Sequence, residues 1–215
     1  MNRKTLTPYI PLLWILVIPV LNIFYGILNQ GGDNVSNLAT PLDTIIPFAP
    51  AFIIPYLMWY PFIFGMLIVI FFRNRSSYYR VLLTLNLGLI VCYVIYYYFQ
   101  TTVTRPPITD QGLLHSLVNL VYQTDGPYNC FPSIHVLTSY LIVKGTANAP
   151  NLSKAARWFI VLISWSIIVS TVFVKQHVWL DAAGAIVLTE ILYFACGLWF
   201  RSQVDHRSRI RGSGL

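Results

Sequence analysis

His177 and Asp181, in the run Ser170-Thr171-Val172-Phe173-Val174-Lys175-Gln176-His177-Val178-Trp179-Leu180-Asp181, set an imidazole and a carboxylate four residues apart. On a helix that step puts both side chains on one face. The carboxylate then holds one ring nitrogen, fixes the tautomer and leaves the other nitrogen free to attack an electrophile or take a proton. Two further segments bring chemistry of the same kind. Thr104-Arg105-Pro106-Pro107 offers a guanidinium, whose fork of donors suits phosphate oxygens. Cys130-Phe131-Pro132-Ser133-Ile134-His135 places a proline where a helix opens, so that free N–H groups and the Ser133 hydroxyl form an anion site, with His135 in the same turn. Taken singly, Ser133 reads equally well as an N-cap, His135 as a core histidine and Arg105 as an interface residue. Taken together, with Ser170 and Lys175 nearby, they describe phosphoryl chemistry.

The elements that must position these groups are membrane helices. Of 215 residues, 56% are hydrophobic and only 10% charged, far from the roughly one quarter charged in soluble chains. Apolar runs at about 8–28, 51–72, 81–103, 132–147, 158–174 and 178–200 predict an all-α, six-transmembrane bundle forming a single domain over 1–215. Cations gather in cytoplasmic loops. In the six-span layout, Arg3, Lys4, Arg73, Arg75, Arg80, Lys144, Lys154, Arg157, Arg201, Arg207, Arg209 and Arg211 share one side, which is 12 of the 14 lysines and arginines. Both termini are therefore expected in the cytoplasm, the N-terminal run being an uncleaved first span, in a multi-pass protein of the cell membrane. Arg105 and Lys175 lie on the outer side with Asp33, Asp43, Asp110, Asp125 and Asp181. An anionic ligand or an aspartate partner accounts for cations placed there. The net charge of +7 follows from topology and anionic lipid, and calls for no nucleic-acid partner.

Several other residues are assigned structural work. Cys92, Cys130 and Cys196 lack metal-type spacing and predict no disulfide framework. Tyr93, Tyr96, Tyr97 and Tyr98 read as an interfacial belt in preference to a ligand cage. The stretch from Pro41 to Pro50 reads as a re-entrant segment or as a loop lying on the bundle. Glu190, nine residues past Asp181, faces away from it and is expected to bond between helices, while His115 and His206 are expected in solvent. Asp43, Asp110 and Asp125 either contact a headgroup or pair with Arg105.

Arg105-Pro106, Pro132-Ser133-x-His135 and Ser170-x(6)-His177-x(3)-Asp181 resemble the three ordered motifs of the type 2 phosphatidic acid phosphatase superfamily. That superfamily includes lipid phosphate phosphatases and undecaprenyl pyrophosphate phosphatases. The resemblance implies that His177 forms a phosphohistidine, that Asp181 orients it, and that His135 protonates the leaving oxygen and then activates water. It implies that Arg105, Ser133 and Ser170 hold the phosphate, without metal or cofactor. Three departures stand out. Tyr98 occupies the place of a lysine, Thr171 that of an arginine and Ile134 that of a glycine. Lys175, two residues before His177, is the candidate replacement cation. The expected activity is hydrolysis of lipid phosphate monoesters or pyrophosphates from the outer face, with membrane lipids as surroundings. Similarity to the inositol phosphorylceramide and sphingomyelin synthase branch keeps open a phosphotransferase with an alcohol acceptor. A metal held by His135, His177 and Asp181, or a non-enzymatic lipid-binding scaffold, are the remaining readings.

Overall fold

The computed structural model describes residues 7–32, 34–147, 149 and 152–212, with side chains from 8 to 203. Arg3, Lys4 and Asp33 lie outside the described residues, as do the side chains of His206, Arg207, Arg209 and Arg211. Five helices are long and apolar enough to cross a membrane: Pro8–Leu28, Pro50–Arg73, Arg75–Tyr98, Lys154–Phe173 and Trp179–Gln203. The first begins as a 3-10 helix, Thr7–Leu16, where Pro11 withholds an N–H from the ladder, and continues as α1, Val17–Leu28. A short helix α2, Pro41–Ile45, precedes a 3-10 turn, Pro50–Phe52, that runs into α3, Ile53–Leu57, and α4, Trp59–Arg73. Next come α5 (Arg75–Tyr98), α6 (Leu113–Thr124), α7 (Ile134–Ala147), α8 (Lys154–Phe173) and α9 (Trp179–Gly212). Among the described residues the sole sheet pairs β1, Ser36–Asn37, in parallel with β2, Thr101–Thr102.

The run expected as a fourth span gives only the 14 residues of α7. At 1.5 Å per residue that is about 21 Å, short of the roughly 30 Å of hydrocarbon in a bilayer. Its apolarity also serves the core. Ile134, Val136, Leu137, Leu141 and Ile142 are all buried, and α7 packs against α4, α5, α8 and α9 at the centre of the bundle. A helix apolar nearly all round is a core helix as readily as a membrane span. The last apolar run likewise starts later than 178, because α9 begins at Trp179.

Close approach of α7 to α5 rests on Gly145, where an added Cβ would overlap a methyl of Val81. Gly145→Ala is therefore expected to cost about 1–3 kcal/mol by overpacking. Its thermal midpoint in detergent should fall below that of Gly26→Ala, a helical position with nothing within 4 Å of the added carbon. Equal midpoints would show that the helix pair can slide apart.

Loops at one end of the bundle build the site. The residues from 104 to 131 contain the helix α6, which turns Leu114, Leu117, Val118 and Val121 toward Ile53, Tyr56 and Val174. Those positions run i, i+3, i+4, i+7, the spacing of an amphipathic helix. The Pro41 to Pro50 stretch lies on the bundle, with Ala49 N–H donating to Phe173 O at 3.0 Å.

Candidate active site

His177 does not sit on a helix with Asp181. It occupies the turn between α8 and α9, and Asp181 lies in the first turn of α9. The pairing expected from helical spacing arises instead from capping. Asp181 Oδ2 accepts the Val178 N–H at 2.9 Å and faces His177 Nδ1 at 3.3 Å, so one carboxylate closes the helix N-terminus and holds the ring. Thr171 O accepts the N–H groups of both Gln176 and His177, which pins the turn. Lys175, at φ 53°, makes the reversal.

The turn is gripped from outside by α2. Thr40 and Asp43 form a capping box, and Asp43 Oδ1 also accepts the Trp179 N–H at 2.9 Å. The Trp179 indole donates to Thr40 Oγ1 at 2.7 Å. From the other side, Lys175 Nζ donates to Asp43 O at 2.9 Å and Ile46 O at 2.6 Å. The ammonium is thus tied to the C-terminal end of α2, away from the cavity described below.

His135, in the first turn of α7, has its ring centroid 5.8 Å from that of His177. It stacks on Tyr56 at 4.7 Å and lies 4.0 Å from the Trp59 ring. Trp59 is itself fixed by its indole N–H bond to Thr138 Oγ1 at 2.7 Å. No side-chain hydrogen bond engages the His135 ring among the described residues. Both histidines line a cavity of about 370 Å³ walled by Tyr25, Tyr56, Trp59, Tyr60 and Tyr96, with Asp125 at its edge.

The phosphate-binding residues expected from sequence are placed differently from one another. Arg105 reaches the turn: it donates to Tyr122 O, Asp125 O and Gly126 O, and to Gln176 Oε1. Its plane lies over Tyr122, whose hydroxyl burial pushes up to about 12 and which donates to Val174 O at 2.8 Å. Ser133 caps α7 by accepting the Val136 N–H at 3.4 Å, and its own N–H donates to Asp181 O at 3.2 Å. Ser170 is buried and donates to Ile167 O at 2.6 Å within its own helix. These serines and Lys175 support the walls of the site and contribute none of the cavity lining. Tyr98, at the position where a lysine was looked for, is 82% exposed on the outside of the bundle. Of the tyrosine belt, Tyr97 and Tyr98 are exposed, whereas Tyr93 bonds to Asn22 and Tyr96 is buried with its hydroxyl on Pro132 O.

Gln176 was missed by sequence reasoning, since a neutral amide beside a histidine forms no pattern. Its Nε2, Arg105 Nε and Asp181 Oδ1 are buried without partners. Buried polar atoms left this way cost about 1–3 kcal/mol each unless a water, an ion or a ligand satisfies them. None of Asp43, Asp110 and Asp125 pairs with Arg105. Asp110 sits 3.5 Å from His115, which is half-buried on α6, and Asp125 Oδ1 accepts from Tyr25 and Asn29. Glu190 bridges α9 to α7 through Tyr140 and Lys144, both at its Oε1.

Cys130, His177 and Asp181 bring one ligand atom each within 4.8 Å of one another. Burial pushes the Cys130 thiol well above its usual range, and the Asp181 carboxylate adds to the rise. Asp181 Oδ2 is engaged by Val178 and His177, while its Oδ1 has no partner among the described residues. The three cysteines are free and buried.

A family model for the PAP2 superfamily matches residues 42–195. No curated protein and no solved structure matches the chain. Proteins of that superfamily are generally phosphatases. The matched stretch runs from α2 through both histidines and into α9, and by it this apolar, multi-helix chain belongs to the PAP2 superfamily.

Proposed function

We propose that the protein is a membrane phosphatase that hydrolyses phosphate monoesters or pyrophosphates on lipids through a phosphohistidine at His177. The observation that carries this reading is the seat of His177: Asp181 faces Nδ1, leaving Nε2 for the cavity that His135 shares. His177 Nε2 attacks phosphorus, an N–P bond forms, the bond to the leaving oxygen breaks, and His135 gives that oxygen its proton. Water then attacks the phosphohistidine, His135 takes its proton, and the N–P bond breaks to release phosphate. Arg105 and Gln176, each with one unpartnered buried N–H behind the His177 turn and outside the cavity lining, are the donors this reading assigns to the phosphoryl oxygens as charge gathers on them. Ser133, Ser170 and Lys175 serve the phosphate by keeping the surrounding turns in place.

A narrow apolar crevice of about 20 Å³, lined by Ile18, Ile63, Phe64, Leu85 and Leu89, adjoins the cavity at Asn22, Trp59 and Tyr60 and has room for no more than a water or a methyl group. The outward orientation is supported by the charges. Arg73, Arg75, Lys154 and Arg157 lie at the helix ends opposite the site, where cytoplasmic cations are expected.

Purified protein should release free phosphate from a lipid phosphate in detergent with chelator present. When a long-chain alcohol is added, phosphate should remain the main product. A phosphodiester with little free phosphate would replace hydrolysis by transfer, and loss of turnover on chelation would remove the metal-independent mechanism.

A further inference from the structure

The cavity holding both histidines is lined by no lysine or arginine, and its one carboxylate is Asp125. That is an unexpected lining for a site meant to receive an anion. Arg105 neutralises main-chain carbonyls, the Asp125 O among them, and makes no ion pair with the Asp125 side chain. Both donors that reach the Asp125 carboxylate, Tyr25 OH at 2.8 Å and Asn29 Nδ2 at 2.7 Å, bond to Oδ1. Oδ2 has no partner among the described residues. Around it the walls are aromatic, and Tyr60 lines the cavity with no side-chain hydrogen bond of its own among the described residues. A carboxylate without a counter-ion beside several π-faces is the arrangement that receives an ammonium group. A phosphate monoester alone would meet Asp125 as a like charge; a ligand carrying its own cation would not.

We infer that this cavity receives the ammonium group of a zwitterionic lipid phosphate, with Asp125 as the counter-charge and Tyr25 and Tyr60 as walls. The inference rests on the phosphatase reading for the position of phosphorus at His177. The ammonium can belong to the leaving alcohol of a monoester, as in the long-chain amino-alcohol phosphate that the phosphatase reading takes as substrate, or to a phosphoethanolamine headgroup, a phosphodiester that would occupy the cavity without being a monoester substrate. In either case it lies a few bonds from phosphorus, a separation that one cavity spans. Asp125 and Tyr60 are then specificity-determining residues, since the reacting atoms are handled by the histidines.

Binding to His177→Ala protein, measured by titration calorimetry in detergent, tests this without turnover. One probe pair is a long-chain amino-alcohol phosphate and its N-acetyl analogue; the other is a phosphoethanolamine lipid and its N-acetyl analogue. At least one free amine should bind about tenfold more tightly than its acetylated twin, and the pair that shows the ratio identifies the source of the ammonium. Adding Asp125→Asn should bring that ratio toward one. Because Asp125 also receives Tyr25 and Asn29, Tyr60→Leu provides a second route: it should shrink the ratio, while Tyr60→Phe retains it. Equal affinities in both pairs, an undiminished ratio in Asp125→Asn and Tyr60→Leu, or tighter binding of a polyol headgroup would overturn the inference. If the ratio holds and wild-type protein releases no phosphate from any lipid, the phosphatase reading falls and the ammonium site stands.

Discussion

Replacing His177 by alanine is expected to reduce turnover at least about a thousandfold, because the group that forms the covalent bond is gone and water has no equivalent position. The same change should leave the fold nearly intact. The imidazole makes one 3.3 Å contact with Asp181, whereas the turn itself is held through main-chain bonds to Thr171 and through the grip of α2. Asp181 keeps its Val178 N–H. Thermal midpoints of the two proteins should therefore lie within a few degrees, separating lost chemistry from lost structure. Acid-sensitive labelling from a radioactive lipid phosphate completes the test: wild type carries the label and His177→Ala does not. Substantial turnover by the variant would sink the covalent route.

His135→Ala should show a second, different defect. A general acid contributes about 10²–10⁴-fold, and most where the leaving oxygen is a poor anion. Turnover of an alkyl phosphate should fall by that amount. With an aryl phosphate, whose phenolate leaves unprotonated, the first step should largely recover. Water activation stays impaired, so phosphohistidine should accumulate and appear as a burst of phenolate followed by slow release of phosphate. A uniform loss across both substrates, with no burst, would instead assign His135 to packing against Tyr56 and Trp59.

The histidines were legible in sequence, although part of the reasoning was not the one the fold uses. The His177 and Asp181 spacing suggested a shared helix face, yet α9 starts two residues after His177 and the carboxylate reaches back as a cap. Four residues suit either geometry, so spacing could not choose between them. Long apolar runs gave the five helices long enough to cross a membrane, while the fourth run, α7, joins the site end of the bundle to the end bearing Lys154 and Arg157 in only 14 residues and is packed as a core helix. Amphipathic α6 is readable in the spacing of Leu114, Leu117, Val118 and Val121, although Gly, Pro and Asp on either side also read as loop.

What sequence could not convey was the partner of each polar group. Lys175 was read as a phosphate ligand from its charge and its nearness to His177, but its ammonium finds carbonyls of α2, residues about 130 positions earlier. Arg105 likewise meets main-chain carbonyls, and no motif records where a carbonyl points. Asp125 lines the cavity and Gln176 receives Arg105 because the end of α6 and the turn before α9 pack together, which is a matter of tertiary structure.

The grip of α2 on the turn before α9 also bears on how the protein is made. Asp43 and Trp179 are 136 residues apart, so the proposed nucleophile is seated by segments distant in sequence that meet late. During synthesis the segment with Thr40 and Asp43 emerges first and waits for a partner delivered by the final helix. A chain cut short before Trp179 thus holds a clamp with nothing to clasp and presents no ordered histidine to passing lipids. On the proposed mechanism, competence then waits for the turn before α9 to meet α2, which would make phosphate release a reporter of that contact.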